Sequence, residues 1–119
     1  RDREFKLAVA TSAPKENMDL ILDELKIRDL FSSTLSSEDV KLHKPHPEVY
    51  LKSAENLGMP IEKCIVFEDS FSGITAAKNA GMKVVAVLST HKQEELPVSD
   101  TYVRNYTEIS VANVKALLQ

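Results

Sequence analysis

Residues 64–88 read CIVFEDSFSGITAAKNAGMKVVAVL, and this stretch decides the fold. An apolar run, Cys64 to Phe67, stops at two acids. Small, helix-compatible residues then run from Gly73 to Ala80, with Ser72 placed to cap them and Gly81 able to take the left-handed stop. Lys83 to Leu88 is a second apolar, β-branched run. Strand, turn, helix and strand in that order make a βα unit, which belongs to a parallel sheet.

The rest of the chain repeats this alternation. Lys6 to Ala10 reads as the first strand, and Met18, Ile21, Leu22 and Leu25 recur at i, i+3, i+4 and i+7. That spacing predicts an amphipathic helix from Glu16 to Ile27. Thr34-Leu35 is a short strand, and Pro47 opens a helix whose Tyr50, Ala54 and Leu57 share a face before Gly58 ends it. Thr101 to Val103 reads as a short edge strand, Gln93 to Asp100 as an open loop, and Val111, Val114, Leu117 and Leu118 as the face of a closing helix. The fold class expected is α/β: three layers, Rossmann-like, with a mostly parallel sheet.

Composition narrows the function. The 119 residues are 43% hydrophobic and 28% charged, which suits one domain with a real core. Fifteen basic and eighteen acidic side chains give a net charge of -3 with no long Lys/Arg run, so nucleic acid is not an expected partner. The single cysteine, Cys64, allows no internal disulfide and reads as a buried thiol within a strand. No apolar stretch approaches bilayer length, and there is no signal-peptide or lipidation pattern, so no membrane partner is expected and the cytoplasm is the expected location. Arg1 to Phe5 lacks an initiator Met and leads almost directly into a strand, as the interior of a longer protein would.

Parallel α/β sheets place ligands at the carboxyl ends of their strands. Thr11-Ser12 follow the first strand, Lys44-Pro45 lie in a loop, and Glu68-Asp69-Ser70 follow the Cys64 strand. A phosphoryl group in transfer spreads negative charge over its equatorial oxygens and needs donors and cations set in place beforehand. The Thr11 hydroxyl, the Lys44 ammonium and a magnesium ion held by Asp69, with Glu68 beside it, supply those contacts. His43 and His46 flank Lys44-Pro45, but a spacing of three in a Pro-containing loop is not a metal-binding helix pair.

Val9-Ala10-Thr11-Ser12, Lys44-Pro45-His46-Pro47-Glu48-Val49-Tyr50 and Val66-Phe67-Glu68-Asp69-Ser70-Phe71-Ser72-Gly73 resemble motifs two, three and four of the haloacid dehalogenase superfamily, in its β-phosphoglucomutase-like branch. The resemblance runs from Lys6 to Leu88. It implies that Thr11 hydrogen-bonds the phosphoryl group, that Lys44 pairs with that group and with the nucleophile, and that Asp69 ligates Mg2+, with Glu68 a ligand or its neighbour. It also implies that the Ser12 backbone faces the phosphate, while Ser70 and Gly73 shape the loop behind the metal.

The resemblance further calls for Asp-x-Asp-Gly, whose first aspartate attacks phosphorus and whose second serves as general acid and base. No acid here has that setting: Asp2 precedes the first strand, and Asp19 and Asp23 lie within the first helix. In the family, the segment before motif two also carries a helical cap and the strand that lies between those of motifs two and four. Residues 1–119 are therefore expected to be a partial core domain lacking nucleophile strand and cap, its sheet completed by a missing N-terminal segment or by another chain. The expected parent is a magnesium-dependent phosphatase of a small phosphomonoester, a sugar phosphate, working through an aspartyl-phosphate, with the 119 residues alone inactive. The alternatives are a phosphomutase or a non-catalytic phosphate-binding module. A phospho-acceptor receiver domain fits the length but places its acidic pair first, the reverse of the order here.

Overall fold

A computed structural model of the chain describes residues 5–105. Among the described residues five short strands, β1 (Ala8–Ala10), β2 (Ser33–Leu35), β3 (Ile65–Glu68), β4 (Lys83–Val87) and β5 (Thr101–Val103), alternate with α1 (Lys15–Glu24), α2 (Glu48–Leu57) and α3 (Phe71–Asn79). Every strand pairing is parallel: Ala8 faces Ser33, Ile65 faces Lys83, and Val85 faces Thr101. The strand order is β1-β2 in one sheet and β3-β4-β5 in another. Among the described residues no backbone pairing joins β1 to β3.

One core nevertheless spans both sheets. Leu35 of β2, Tyr50 and Ala54 of α2, Val66 of β3, Ile74 and Ala77 of α3 and Val84 of β4 belong to a single buried cluster. Helices α2 and α3 touch each other, α2 covering β1 and β2 while α3 covers β3 and β4. The buried Met18 and Leu22 of α1 lie outside the main cluster. Ala76 and Ala77 are fully buried and let α3 approach β4 closely, and full burial of Ile74 contributes about 2 kcal/mol.

Several element bounds differ from the sequence reading, for physical reasons. Helix α1 ends at Glu24 rather than Ile27 because Lys26 adopts a left-handed backbone at φ 55°. Its apolar stripe is only half covered: Met18 and Leu22 are buried, whereas Ile21 and Leu25 are 56% and 62% exposed. Helix α3 begins two residues earlier than expected, because the cap is Ser70, not Ser72, and Ser70 Oγ accepts the Gly73 N–H at 3.1 Å.

Strand β3 is shifted by one residue and includes Glu68 but not Cys64. Cys64 closes the 3₁₀ turn Ile61–Lys63 and is only partly buried; that partial burial, with Glu62 nearby, pushes its thiol above the ordinary range. Gly58 and Gly81 both stop helices with positive φ, as expected. The 93–100 loop contains a 3₁₀ turn at Gln93–Glu95, and Asp100 prolongs the β4 pairing with its own backbone and side chain at Val84. Among the described residues no helix is long and apolar enough to cross a membrane. The expected closing helix at 111–118 lies outside the described residues.

Candidate functional site

The carboxyl ends of β1 and β3 meet at one side chain. Lys44 Nζ donates to the backbone carbonyl of Ala10 at 3.1 Å and to Glu68 Oε2 at 2.6 Å. It also lies 5.1 Å from the centre of the Tyr50 ring. Both partners of the ion pair are only 10% exposed, so the pair is held in a poorly solvated setting where a lost partner is costly. The next residue after Ala10, whose carbonyl the lysine holds, is Thr11.

Thr11 is fixed from both sides. Its N–H donates to Leu35 O at 3.0 Å, extending the β1–β2 pairing, and its Oγ1 accepts the Ala13 N–H at 3.1 Å. An accepted bond leaves the hydroxyl proton for a donor role. Ser12 is exposed at the start of the same turn.

Glu68 is the hub. Strand alternation puts it on the same buried side as Val66. Its Oε2 receives both Lys44 Nζ and the Tyr50 hydroxyl, and Ser70 Oγ lies 3.3 Å from Oε1. The carboxylate rests against the first turn of α3, in the space that a side chain at position 73 would fill. Gly73→Ala should therefore displace Glu68 from Lys44 and Tyr50 and cost about 3 kcal/mol of stability, read from urea unfolding. A loss below about 0.5 kcal/mol would show that the carboxylate can move without penalty.

The loop carrying Lys44 is tied down on three sides. Glu48 accepts the N–H groups of Lys41 and Leu42 at 2.9 and 3.2 Å, and those backbone bonds, led by Lys41, hold its carboxyl below the usual range. Asn79 Nδ2 donates to Pro45 O at 3.2 Å. His46 Nδ1 accepts the Glu48 N–H at 3.1 Å, so this ring supports the turn and holds its proton on Nε2 when neutral. The Lys44–Pro45 peptide is cis.

Asp69 turns the other way. It is half-buried, Ser89 Oγ lies 3.4 Å from its Oδ2, and His91 Nδ1 lies 3.2 Å from its carbonyl oxygen. The two acids that look equivalent in sequence therefore have different surroundings: Glu68 is engaged inside, and Asp69 stands toward the loop after β4. No group of three or more His, Cys, Asp or Glu side chains among the described residues is gathered for a metal. Asp19 and Asp23, set aside in the sequence as nucleophiles, pair with Lys15 and Arg28 on the helix surface.

Of the site residues named from the sequence, the structure joins Lys44 to Glu68 and to the strand end before Thr11, and sets Asp69 against Ser89 and His91; Tyr50, Ser89 and His91 were not among the site residues named. Tyr50 reads as an ordinary core residue of α2. Its hydroxyl was the available signal, since a buried phenol needs a partner. Ser89-Thr90-His91 follows β4 at the same carboxyl edge, where the rule used for the other strands applies equally.

Comparison with known proteins shows the family. The sequence profile of the family described as haloacid dehalogenase-like hydrolase matches residues 1–87. The chain is 35% identical over 116 residues to the chloroplastic 5-amino-6-(5-phospho-D-ribitylamino)uracil phosphatase of Arabidopsis thaliana, covering 98% of this chain and 31% of that protein. It is 38% identical over 122 residues to glycerol-1-phosphate phosphohydrolase 1 of Saccharomyces cerevisiae, covering 93% and 48%. The crystal structure of β-phosphoglucomutase from Clostridium difficile superposes with a TM-score of 0.84 at 29% identity, over 97% of this chain and 49% of that one. The chain thus spans between about a third and a half of the length of these relatives. With its profile match over residues 1–87, the chain belongs to the haloacid dehalogenase-like hydrolases.

Proposed function

We propose that these residues are the phosphate-holding and metal-holding part of a magnesium-dependent phosphatase of small phosphorylated metabolites, of the sugar-phosphate class. The observation that carries this reading is the meeting of Lys44, the Ala10–Thr11 strand end and Glu68 at one point of the sheet edge. The named phosphatases to which the chain is similar support it.

In this reading Thr11 donates its hydroxyl proton to a phosphoryl oxygen, and Ser12 offers its backbone N–H from the following turn. Lys44 uses two of its three N–H groups on Ala10 and Glu68 and turns the third to the phosphoryl group. The donor set suits a hard divalent ion, which takes oxygen ligands and often only one or two carboxylates from the protein. Asp69 is the fitting ligand, half-buried and with one long side-chain contact. Glu68, already engaged by Lys44 and Tyr50, stands beside that site and anchors the lysine. Bound magnesium would offset the charge that develops on the phosphoryl oxygens. The aspartate that forms the aspartyl-phosphate lies outside residues 1–119, which form a partial core domain and are inactive alone.

The test is release of inorganic phosphate by the full protein from a panel of sugar phosphates and p-nitrophenyl phosphate, with magnesium and with EDTA. Metal-dependent release is expected. Saturable binding of magnesium and phosphate without turnover would replace the phosphatase with a non-catalytic binding module. The likeness to β-phosphoglucomutase supports one further reading, a phosphomutase, which would interconvert sugar-phosphate isomers and release little phosphate.

A further inference from the structure

The loop after β4 closes on Asp69. Three polar residues, Ser89, Thr90 and His91, follow a strand in which Val84 to Val87 are almost wholly buried. The loop is held at both ends: Leu88 N–H donates to Val103 O at 2.8 Å, and Glu95 Oε1 accepts the Lys92 N–H at 2.7 Å. Leu96, just beyond, is buried in the core. The exposed residues 89–91 thus rise from fixed supports.

His91 Nδ1 lies 3.2 Å from the carbonyl oxygen of Asp69 and 3.0 Å from Thr90 Oγ1. A carbonyl oxygen can only accept, so Nδ1 must carry the proton in this contact, and the Thr90 hydroxyl shares it as a second acceptor. This is the reverse of His46, whose Nδ1 accepts from Glu48 N–H. Ser89 adds its hydroxyl at 3.4 Å from Asp69 Oδ2. One loop therefore holds both the backbone and the side chain of Asp69, across a gap of about twenty residues in sequence.

We propose that His91 is a positioning residue of the site: through its Nδ1–H it clamps the Asp69 carbonyl and, with Ser89, holds the Asp69 carboxylate ready for the metal ion. This rests on the reading of Asp69 as the magnesium ligand. A half-exposed aspartate just past a strand end has rotational freedom to lose on binding an ion, and a clamp on its peptide removes part of that freedom beforehand.

The experiment compares His91→Ala and His91→Asn in the full protein, with magnesium affinity measured by calorimetry in the absence of substrate. Asparagine places its side-chain N–H where Nδ1–H stands but has no ring nitrogen to titrate or to bind metal. His91→Ala is expected to weaken magnesium binding about tenfold, the usual scale for partners of a ligand, and His91→Asn to restore it to within about threefold. The parent His91 ring should show the Nδ1–H tautomer in its nitrogen NMR shifts. Unchanged affinity in His91→Ala overturns the clamp, and so does an asparagine variant as weak as alanine. Asp69→Asn separates the two claims. If it abolishes magnesium binding while His91→Ala does not weaken it, only the clamp fails. If it leaves binding intact, the assignment of Asp69 fails and the clamp with it.

Discussion

Lys44→Ala is expected to lower turnover of p-nitrophenyl phosphate by the full protein by about three orders of magnitude, because the transition state of phosphoryl transfer is stabilised mainly by preplaced charge. The same change should cost about 3 kcal/mol of stability, since it leaves the Glu68 carboxylate buried with only neutral partners in Tyr50 and Ser70. The two effects separate in a double variant. Lys44→Met with Glu68→Gln removes both charges, so stability should largely return while turnover stays low. Near-normal turnover by the single alanine variant would remove Lys44 from the site.

Asp69→Asn should lose activity without losing stability. Magnesium-dependent turnover is expected to disappear, because a neutral amide is a poor ligand for a hard cation. Stability should change by less than about 0.5 kcal/mol, because Asp69 is half-buried, the replacement has the same shape, and the backbone carbonyl held by His91 is untouched. Thermal unfolding without metal, measured beside the kinetics, checks both halves. An Asp69→Asn protein that still responds to magnesium would contradict the assignment.

Much of the fold was legible because its punctuation is local. Gly58 and Gly81 stop helices through positive φ, Pro47 sits at a helix start, and the β-branched run from Lys83 makes the best-buried strand. The errors arose where two local choices were equally good. Ser70 and Ser72 can each cap a helix, and the choice falls to Ser70, whose hydroxyl receives the Gly73 N–H while Gly73 itself leaves room for Glu68. The α1 stripe has the right spacing, yet spacing says nothing of how much neighbouring structure there is to cover it.

The site was legible to the same degree. Rules about strand ends and loops singled out Thr11, Lys44, Glu68 and Asp69 as candidates, but pairing across the chain is not a local property. Lys44 and Glu68 are twenty-four residues apart, and His91 is twenty-two from Asp69. The alternation of β3 did contain a clue that went unused: Glu68 falls on the buried side with Val66, so it needed a partner inside, whereas Asp69, past the strand end, did not.

If this sheet edge holds phosphate as proposed, the bond between Lys44 and Glu68 bears on which anions it can accept. The ammonium already has a resident carboxylate, so an arriving anion must compete with a rival that is tethered, close by and never diluted. A weakly charged monoanion such as chloride or acetate gains little from one spare N–H and cannot win that contest. A phosphoryl dianion, with several oxygens to share between the lysine and a neighbouring cation, can be accepted without evicting the resident. In the proposed reading, discrimination by charge would act before any part of a metabolite beyond its phosphate is sensed.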